Sequence, residues 1–215
     1  MLNIRTYPLG FIQTNCYVIS NSQKQCLIVD PGGEGERLLK EIQRMNLTPI
    51  AILLTHAHFD HIGAVDEVRD AYNIPAYIHT AEKKWLVDPM KNGSAKYAEI
   101  PSISCKEADV LLNDENSLKI GDFEFELLYT PGHSPGSLTF YFEKDRFAIV
   151  GDTLFQNSIG RTDLPGGDER QLMKAIQTKL LTLPEETIIY PGHGPASTIG
   201  DEMERNPFLN GFNLN

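Results

Sequence analysis

The chain has 215 residues, 41% of them hydrophobic, enough for one substantial core and at most two domains. A formal charge of −10 and a sequence pI near 5.0 make it a poor partner for nucleic acid, whose backbone is bound by concentrated Lys and Arg. No stretch nears the roughly 20 apolar residues of a membrane span, residues 1–8 lack a secretory pattern, and Cys16, Cys26 and Cys105 form no disulfide framework, so a cytoplasmic protein is expected.

Residues 26–30 (Cys-Leu-Ile-Val-Asp) read as a buried strand ending at Pro31-Gly32-Gly33. A helix should follow from about Glu34, with Leu38, Leu39, Ile42 and Met45 on one face. Residues 50–54 form a second buried strand, and Thr55-His56-Ala57-His58-Phe59-Asp60-His61 follows it directly. Four metal-binding side chains in six positions are costly to bury and unexpected as surface decoration; a divalent metal explains them. They are expected on a loop leaving the carboxyl end of a core strand, not along a helix as in the His-Glu-x-x-His metalloproteases. Ile62, Val65, Val68 and Tyr72 give a second amphipathic stripe stopped by Pro75, and residues 76–78 a short strand. His79, outside any cluster, reads as an ordinary surface residue. Residues 85–104, interrupted by Pro89, Gly93 and Pro101, are irregular, either a cover over the site or a surface excursion.

From Leu118 the pattern turns to strands. Phe123, Phe125 and Leu127 alternate with Glu124 and Glu126, and Leu138, Phe140 and Phe142 with Thr139 and Tyr141. Residues 147–150 are another buried run. A helix starts near Asp168, which with Gln171 resembles a capping pair, and carries Leu172, Ile176 and Leu180; residues 187–190 form a strand. Alternating elements with no linker predict one layered α/β domain with two sheets and helices outside. Pro131-Gly132-His133-Ser134-Pro135 and Pro191-Gly192-His193-Gly194-Pro195 echo each other, each turning sharply after a strand to present a histidine.

The candidate ligands are therefore His56, His58, Asp60, His61, His133, His193 and Asp152 of Gly151-Asp152-Thr153, each just after a predicted strand. Seven exceed the needs of one tetrahedral zinc, so two metals with a shared bridge are implied. A carboxylate bridges two cations and an imidazole generally does not, which points to Asp152. The lack of cysteine in the set argues against a purely structural zinc site. Asp30 either orients a ligand or simply forms the turn before Pro31. Arg161 of Gly160-Arg161-Thr162-Asp163 either meets a substrate carboxylate or ties its loop to an acid, the second being preferred.

The combined pattern of His-x-His-x-Asp-His at 56–61, Thr130-Pro131-Gly132-His133, Gly151-Asp152-Thr153-Leu154-Phe155 and Tyr190-Pro191-Gly192-His193-Gly194 resembles the metallo-β-lactamase superfamily. More narrowly it resembles the glyoxalase II-like (hydroxyacylglutathione hydrolase) branch in its short bacterial form, from about Asn15 to Leu209. The resemblance implies an α/β, four-layer αββα sandwich over residues 1–215. It implies that His56, His58 and His133 hold one metal, Asp60, His61 and His193 the other, and that Asp152 bridges them. The best-known zinc β-lactamases carry a cysteine where this chain has Asp152, which counts against antibiotic hydrolysis. Full-length glyoxalase II enzymes carry a further C-terminal helical region that contacts glutathione, and the resemblance to the short form implies a domain without it.

The implied function is hydrolysis of S-lactoylglutathione or a related hydroxyacyl thioester by a metal-bridging hydroxide that Asp60 orients. The cofactors would be two divalent ions, zinc foremost, with iron or manganese also suited to the ligands. A small-molecule thioester is the expected partner, with neither nucleic acid nor membrane; the oligomeric state is not legible. One rival is a mononuclear iron persulfide dioxygenase using His56, His133 and Asp152. Another is a non-catalytic metal- or thiol-binding module.

Overall fold

A computed structural model describes residues 1–113 and 115–210. Met1–Asn113 with Lys119–Phe123 form one compact unit, and the remaining described residues a second. No helix among the described residues is long and apolar enough to cross a membrane.

In the first unit the elements run β1 (Asn3–Leu9), β2 (Thr14–Ser20), β3 (Gln25–Val29), α1 (Gly35–Arg44), β4 (Thr48–Leu53), α2 (Phe59–Ile62), α3 (Val65–Tyr72), β5 (Ala76–His79) and β6 (Val110–Leu112). The six strands form one mixed sheet in chain order. β1, β2 and β3 pair antiparallel; β3 to β6 are parallel. Parallel neighbours need a crossover, which α1 and α3 supply. Their apolar stripes, Leu38 and Ile42 on α1 with Val65 and Val68 on α3, share one buried cluster with Ile28, Ile52 and Ile78 of the sheet. Pro49 sits inside β4 although proline cannot donate to a ladder. Cys26 pairs with Pro49 and Leu27 with Ala51, so Ile50 is the extra residue of a bulge that accommodates it.

The chain continues through β7 (Asn116–Ile120), β8 (Phe123–Tyr129), β9 (Leu138–Phe142), β10 (Phe147–Gly151), β11 (Leu154–Phe155), β12 (Ser158–Ile159), α4 (Glu169–Ala175), β13 (Ile188–Pro191), β14 (Ser197–Thr198), α5 (Ile199–Arg205) and α6 (Pro207–Asn210). A second six-stranded sheet has the order β14-β13-β10-β9-β8-β7. It is also mixed: β10 and β13 are parallel, while β9 pairs antiparallel with both β8 and β10. Asp168 caps α4, its side chain accepting from the backbone N–H of Gln171. After Ala175 the helix widens into a π turn over Ile176–Leu180. Leu172, Ile176 and Leu180 still line up, in one cluster with Ala148, Val150 and Ile189.

On β9 the alternation does not yield one wet face, because Thr139 and Tyr141 are buried as well. Tyr141 joins the cluster beneath α4, while the rings of Phe140 and Phe142 meet Phe125, and Phe142 stacks on Phe147. An interior strand covered on both faces has no solvent side for its pattern to report.

Candidate metal centre

In the first unit, β4 delivers Leu54 and Thr55 into the histidine segment, while β3 ends beside it at Asp30. Asp30 takes a left-handed backbone conformation (φ +50°), which turns the chain and points its carboxylate inward. It accepts from the Thr55 N–H at 2.8 Å and the Thr55 hydroxyl at 2.6 Å, and lies 2.9 Å from His61 Nδ1. A carboxylate only accepts, so His61 carries its proton on Nδ1, and the neutral ring has its lone pair on Nε2. The same logic passes along the segment. Thr55 spends its one hydroxyl proton on Asp30, so at 3.1 Å it accepts from His56 Nδ1, again making Nε2 the ligand atom.

His58 opens the short helix α2, on which Asp60 and His61 sit. The expectation of ligands on a loop alone is therefore corrected: two of the four belong to a single helical turn, closed by His61 N–H on the His58 carbonyl at 3.0 Å. One turn is too short to show a helical period in the sequence. Asp60 Oδ2 receives the Thr14 hydroxyl at 2.6 Å and stands 3.3 Å from His61 Nε2. Glu82, wholly buried, accepts from the Ala57 N–H at 2.6 Å and holds the backbone between His56 and His58.

His79 is not a surface residue. It is 5% exposed, and its Nδ1 accepts from Ala81 N–H, capping the turn that leads to Glu82. Capping gives a strand-ending histidine a buried role that cluster-counting overlooks. The 85–104 segment packs inward too: Phe59 N–H bonds the Asn92 carbonyl, and Trp85 lies 5.7 Å from the His58 ring.

In the second unit, Asp152 and His193 follow the parallel neighbours β10 and β13, and the Gly192 N–H bonds the Gly151 carbonyl at 2.8 Å. His133 leaves the turn after β8, and its Nδ1 donates to the Arg161 carbonyl at 2.8 Å, fixing the third imidazole in the same tautomer. Asp152 Oδ2 lies 3.5 Å from both His133 Nε2 and His193 Nε2. The Arg161 guanidinium forks onto Asp163 with two bonds of 2.7 Å and holds that carboxyl down at about 2. Arg161 thus ties its own loop through the side chain and orients His133 through its carbonyl.

All seven candidates fall in groups of side chains able to hold a metal ion. Their chemistry fits one. His61 Nε2 faces Asp60 Oδ2, and His133 Nε2 faces Asp152 Oδ2, acceptor against acceptor in buried surroundings, an arrangement that repels unless a cation serves both. Two ligand atoms about 2.1 Å from one tetrahedral ion stand roughly 3.4 Å apart, close to the 3.3 and 3.5 Å found here. The mixed nitrogen and oxygen set suits zinc, iron or manganese. Thr14, Thr55 and Glu82 were missed by sequence reasoning. Each acts through a tertiary hydrogen bond, and only Thr55, next to His56, had a local cue.

The metallo-beta-lactamase superfamily model matches residues 9–193. A probable metallo-hydrolase of Bacillus subtilis, YqgX, is 52% identical over 210 residues, covering 98% of this chain and 99% of that one. The hydroxyacylglutathione hydrolase GloC of Haemophilus influenzae is 39% identical, with 97% and 99% covered. The crystal structure of BLEG-1 B3 metallo-beta-lactamase superposes with a TM-score of 0.94 at 55% identity, covering 96% of this chain and 99% of that one. The chain belongs to the metallo-beta-lactamase superfamily, a metallo-hydrolase with that family's fold of two mixed sheets and flanking helices.

Proposed function

We propose that the chain is a binuclear thioesterase of glyoxalase II type, cleaving S-lactoylglutathione or a related hydroxyacyl thioester. In this reading His56, His58 and His133 hold one cation, Asp60, His61 and His193 the other, and Asp152 serves both. The observation that supports it is the matched orientation of three imidazoles: oxygen acceptors on Nδ1 of His56, His61 and His133 leave the lone pair of each ring on Nε2, the atom a metal would take. When bound, the cations supply a water acidified toward neutral pH and a Lewis acid for the carbonyl. Asp60, pinned by Thr14, orients the attacking water. The leaving thiol, with a pKa of about 8.5, departs as thiolate without needing a strong acid, so the site asks less of its residues than amide cleavage would.

The likeness to a B3 metallo-beta-lactamase favours β-lactam hydrolysis as a second reading. Against it, Asp152 supplies oxygen where a cysteine would mark the best-known zinc β-lactamases, and the three cysteines are buried elsewhere. Reconstitution with zinc, iron and manganese separately, followed by assays on S-lactoylglutathione and on a β-lactam, tests the proposal. Two metals per chain and thioester turnover lost in Asp152→Ala are expected. A single iron with O₂ uptake on glutathione persulfide would overturn it in favour of a dioxygenase, and β-lactam turnover alone in favour of a lactamase.

A further inference from the structure

A cavity of about 410 Å³ opens in the first unit, walled by Phe11 at the β1–β2 turn, Glu34, Phe59, Asp60, and Pro101 and Ile103 from the irregular segment. Its size falls in the ~300–1,000 Å³ range of small-molecule sites. The remaining wall is glycine backbone, and that is enforced: a Cβ on Gly32 would stand 1.8 Å from the Asp60 carbonyl, and one on Gly63 2.4 Å from the Gly32 carbonyl. Close packing of these turns against one another therefore requires glycine in this wall.

Three features identify its occupant. Phe11 and Ile12 are 67% and 50% exposed on the hairpin tip, apolar surface that the core does not use. Asp60, which carries catalysis in the reading above, is part of the wall. Of the described residues in the wall only Glu34 and Asp60 are ionisable, and Asp60 presents its backbone carbonyl to Gly32 while its carboxylate Oδ2 meets Thr14 and His61. Glu34 is kept anionic by Arg37 at 2.9 Å and by the Gly10 N–H at 3.0 Å. The side chains of Phe11, Phe59, Pro101 and Ile103 suit an uncharged hydrocarbon arm, and the described lining has no cationic residue to receive the free carboxylates of a thiol carrier such as glutathione.

We propose that this cavity seats the acyl group of the thioester, and that the chain selects acyl thioesters with an apolar arm of several carbons over the small polar lactoyl group. The proposal rests on the thioesterase reading and refines its substrate. Phe11, Phe59, Pro101 and Ile103 are then specificity-determining residues, and the 85–104 segment forms one wall of the acyl site.

The test uses the metal-loaded full chain with acetyl, butyryl, hexanoyl and lactoyl glutathione thioesters. In parallel, S-methyl-, S-butyl- and S-hexylglutathione are titrated as non-hydrolysable probes. Burial of each added methylene should raise kcat/KM, and tighten S-alkyl binding, by about fourfold until the cavity is full. Phe11→Ala, at an exposed position that the fold tolerates, and Ile103→Trp, which fills the space, should both flatten that dependence. A flat chain-length series in the unaltered protein, or a slope unchanged in both variants, overturns the proposal. If no thioester is turned over while S-alkyl binding keeps its slope and loses it in the variants, the cavity assignment stands and the hydrolase reading fails.

Discussion

The hydroxyl of Thr14 holds the outer end of a short chain of polar bonds: it donates to Asp60 Oδ2, which faces His61 Nε2, while Asp30 grips the far side of the same ring. Groups that orient a ligand are typically worth about 10–100-fold in metal affinity. Thr14→Val removes the donor and keeps the shape, so it should weaken one of the two metals by roughly that factor, read by competition with a graded chelator, while Thr14→Ser retains both. Two equally tight metals in Thr14→Val would show that Asp60 needs no such support. The buried cysteines make a separate, alkaline prediction. Burial pushes the Cys26 and Cys105 thiols up to about 12, and Cys16 well above its ordinary value. Their folded-state values lie above the unfolded ones, so the neutral thiols stabilise the fold in full below about pH 8.5. That contribution is lost as pH rises through the unfolded value toward about 12. Denaturant midpoints should decline from pH 8.5 upward, and iodoacetamide should label none of the three thiols until the chain unfolds.

Turns, more than helices or strands, place the candidate ligands, and two histidine turns of similar sequence differ in what they tolerate. At Gly132 (φ +132°) a Cβ would meet the Leu172 backbone nitrogen of α4 at 2.1 Å, whereas at Gly194 (φ +75°) nothing lies within 4 Å. Gly194→Ala carries only backbone strain, about 1–2 kcal/mol. Gly132→Ala adds a backbone clash and should be destabilising by roughly 3 kcal/mol or more, so chemical denaturation should rank the two well apart; equal losses would mean α4 can move aside. The Pro-Gly-His echo, the short spacings of 56–61 and the buried runs before them are local patterns, which is why all seven candidates and most central strands were legible in the sequence. Other parts were not, for physical reasons. β1 is an edge strand, largely exposed and containing Pro8, and β2 is buried on both faces, so neither shows an alternation. Thr14 reaches Asp60 across 46 positions of chain and Glu82 reaches Ala57 across 25, distances over which no spacing rule operates. The helical turn α2 and the capping role of His79 are each one hydrogen bond long.

Across the whole molecule the seven candidates divide four to three between the compact units, with His56, His58, Asp60 and His61 in the first and His133, Asp152 and His193 in the second. If two cations take ligands from both sets, as proposed, their binding free energy adds to the stability of the folded chain, because an unfolded chain presents no formed site. The acidity of the protein, −10 before any metal is added, works in the same direction: four positive charges reduce self-repulsion. Stripping with a chelator should therefore lower Tm, by roughly 4 kcal/mol of lost stability for each ion present at a thousand times its dissociation constant. Zinc, iron or manganese should each restore Tm, and Asp152→Ala should restore it only in part, since it removes the shared ligand while leaving three side chains for each ion. Calorimetry of the loaded, stripped and reloaded protein reads this directly. A melting curve indifferent to the chelator, in a chain shown by elemental analysis to have lost its metal, would mean that the ions do not favour the folded chain and would overturn a formed site of this kind.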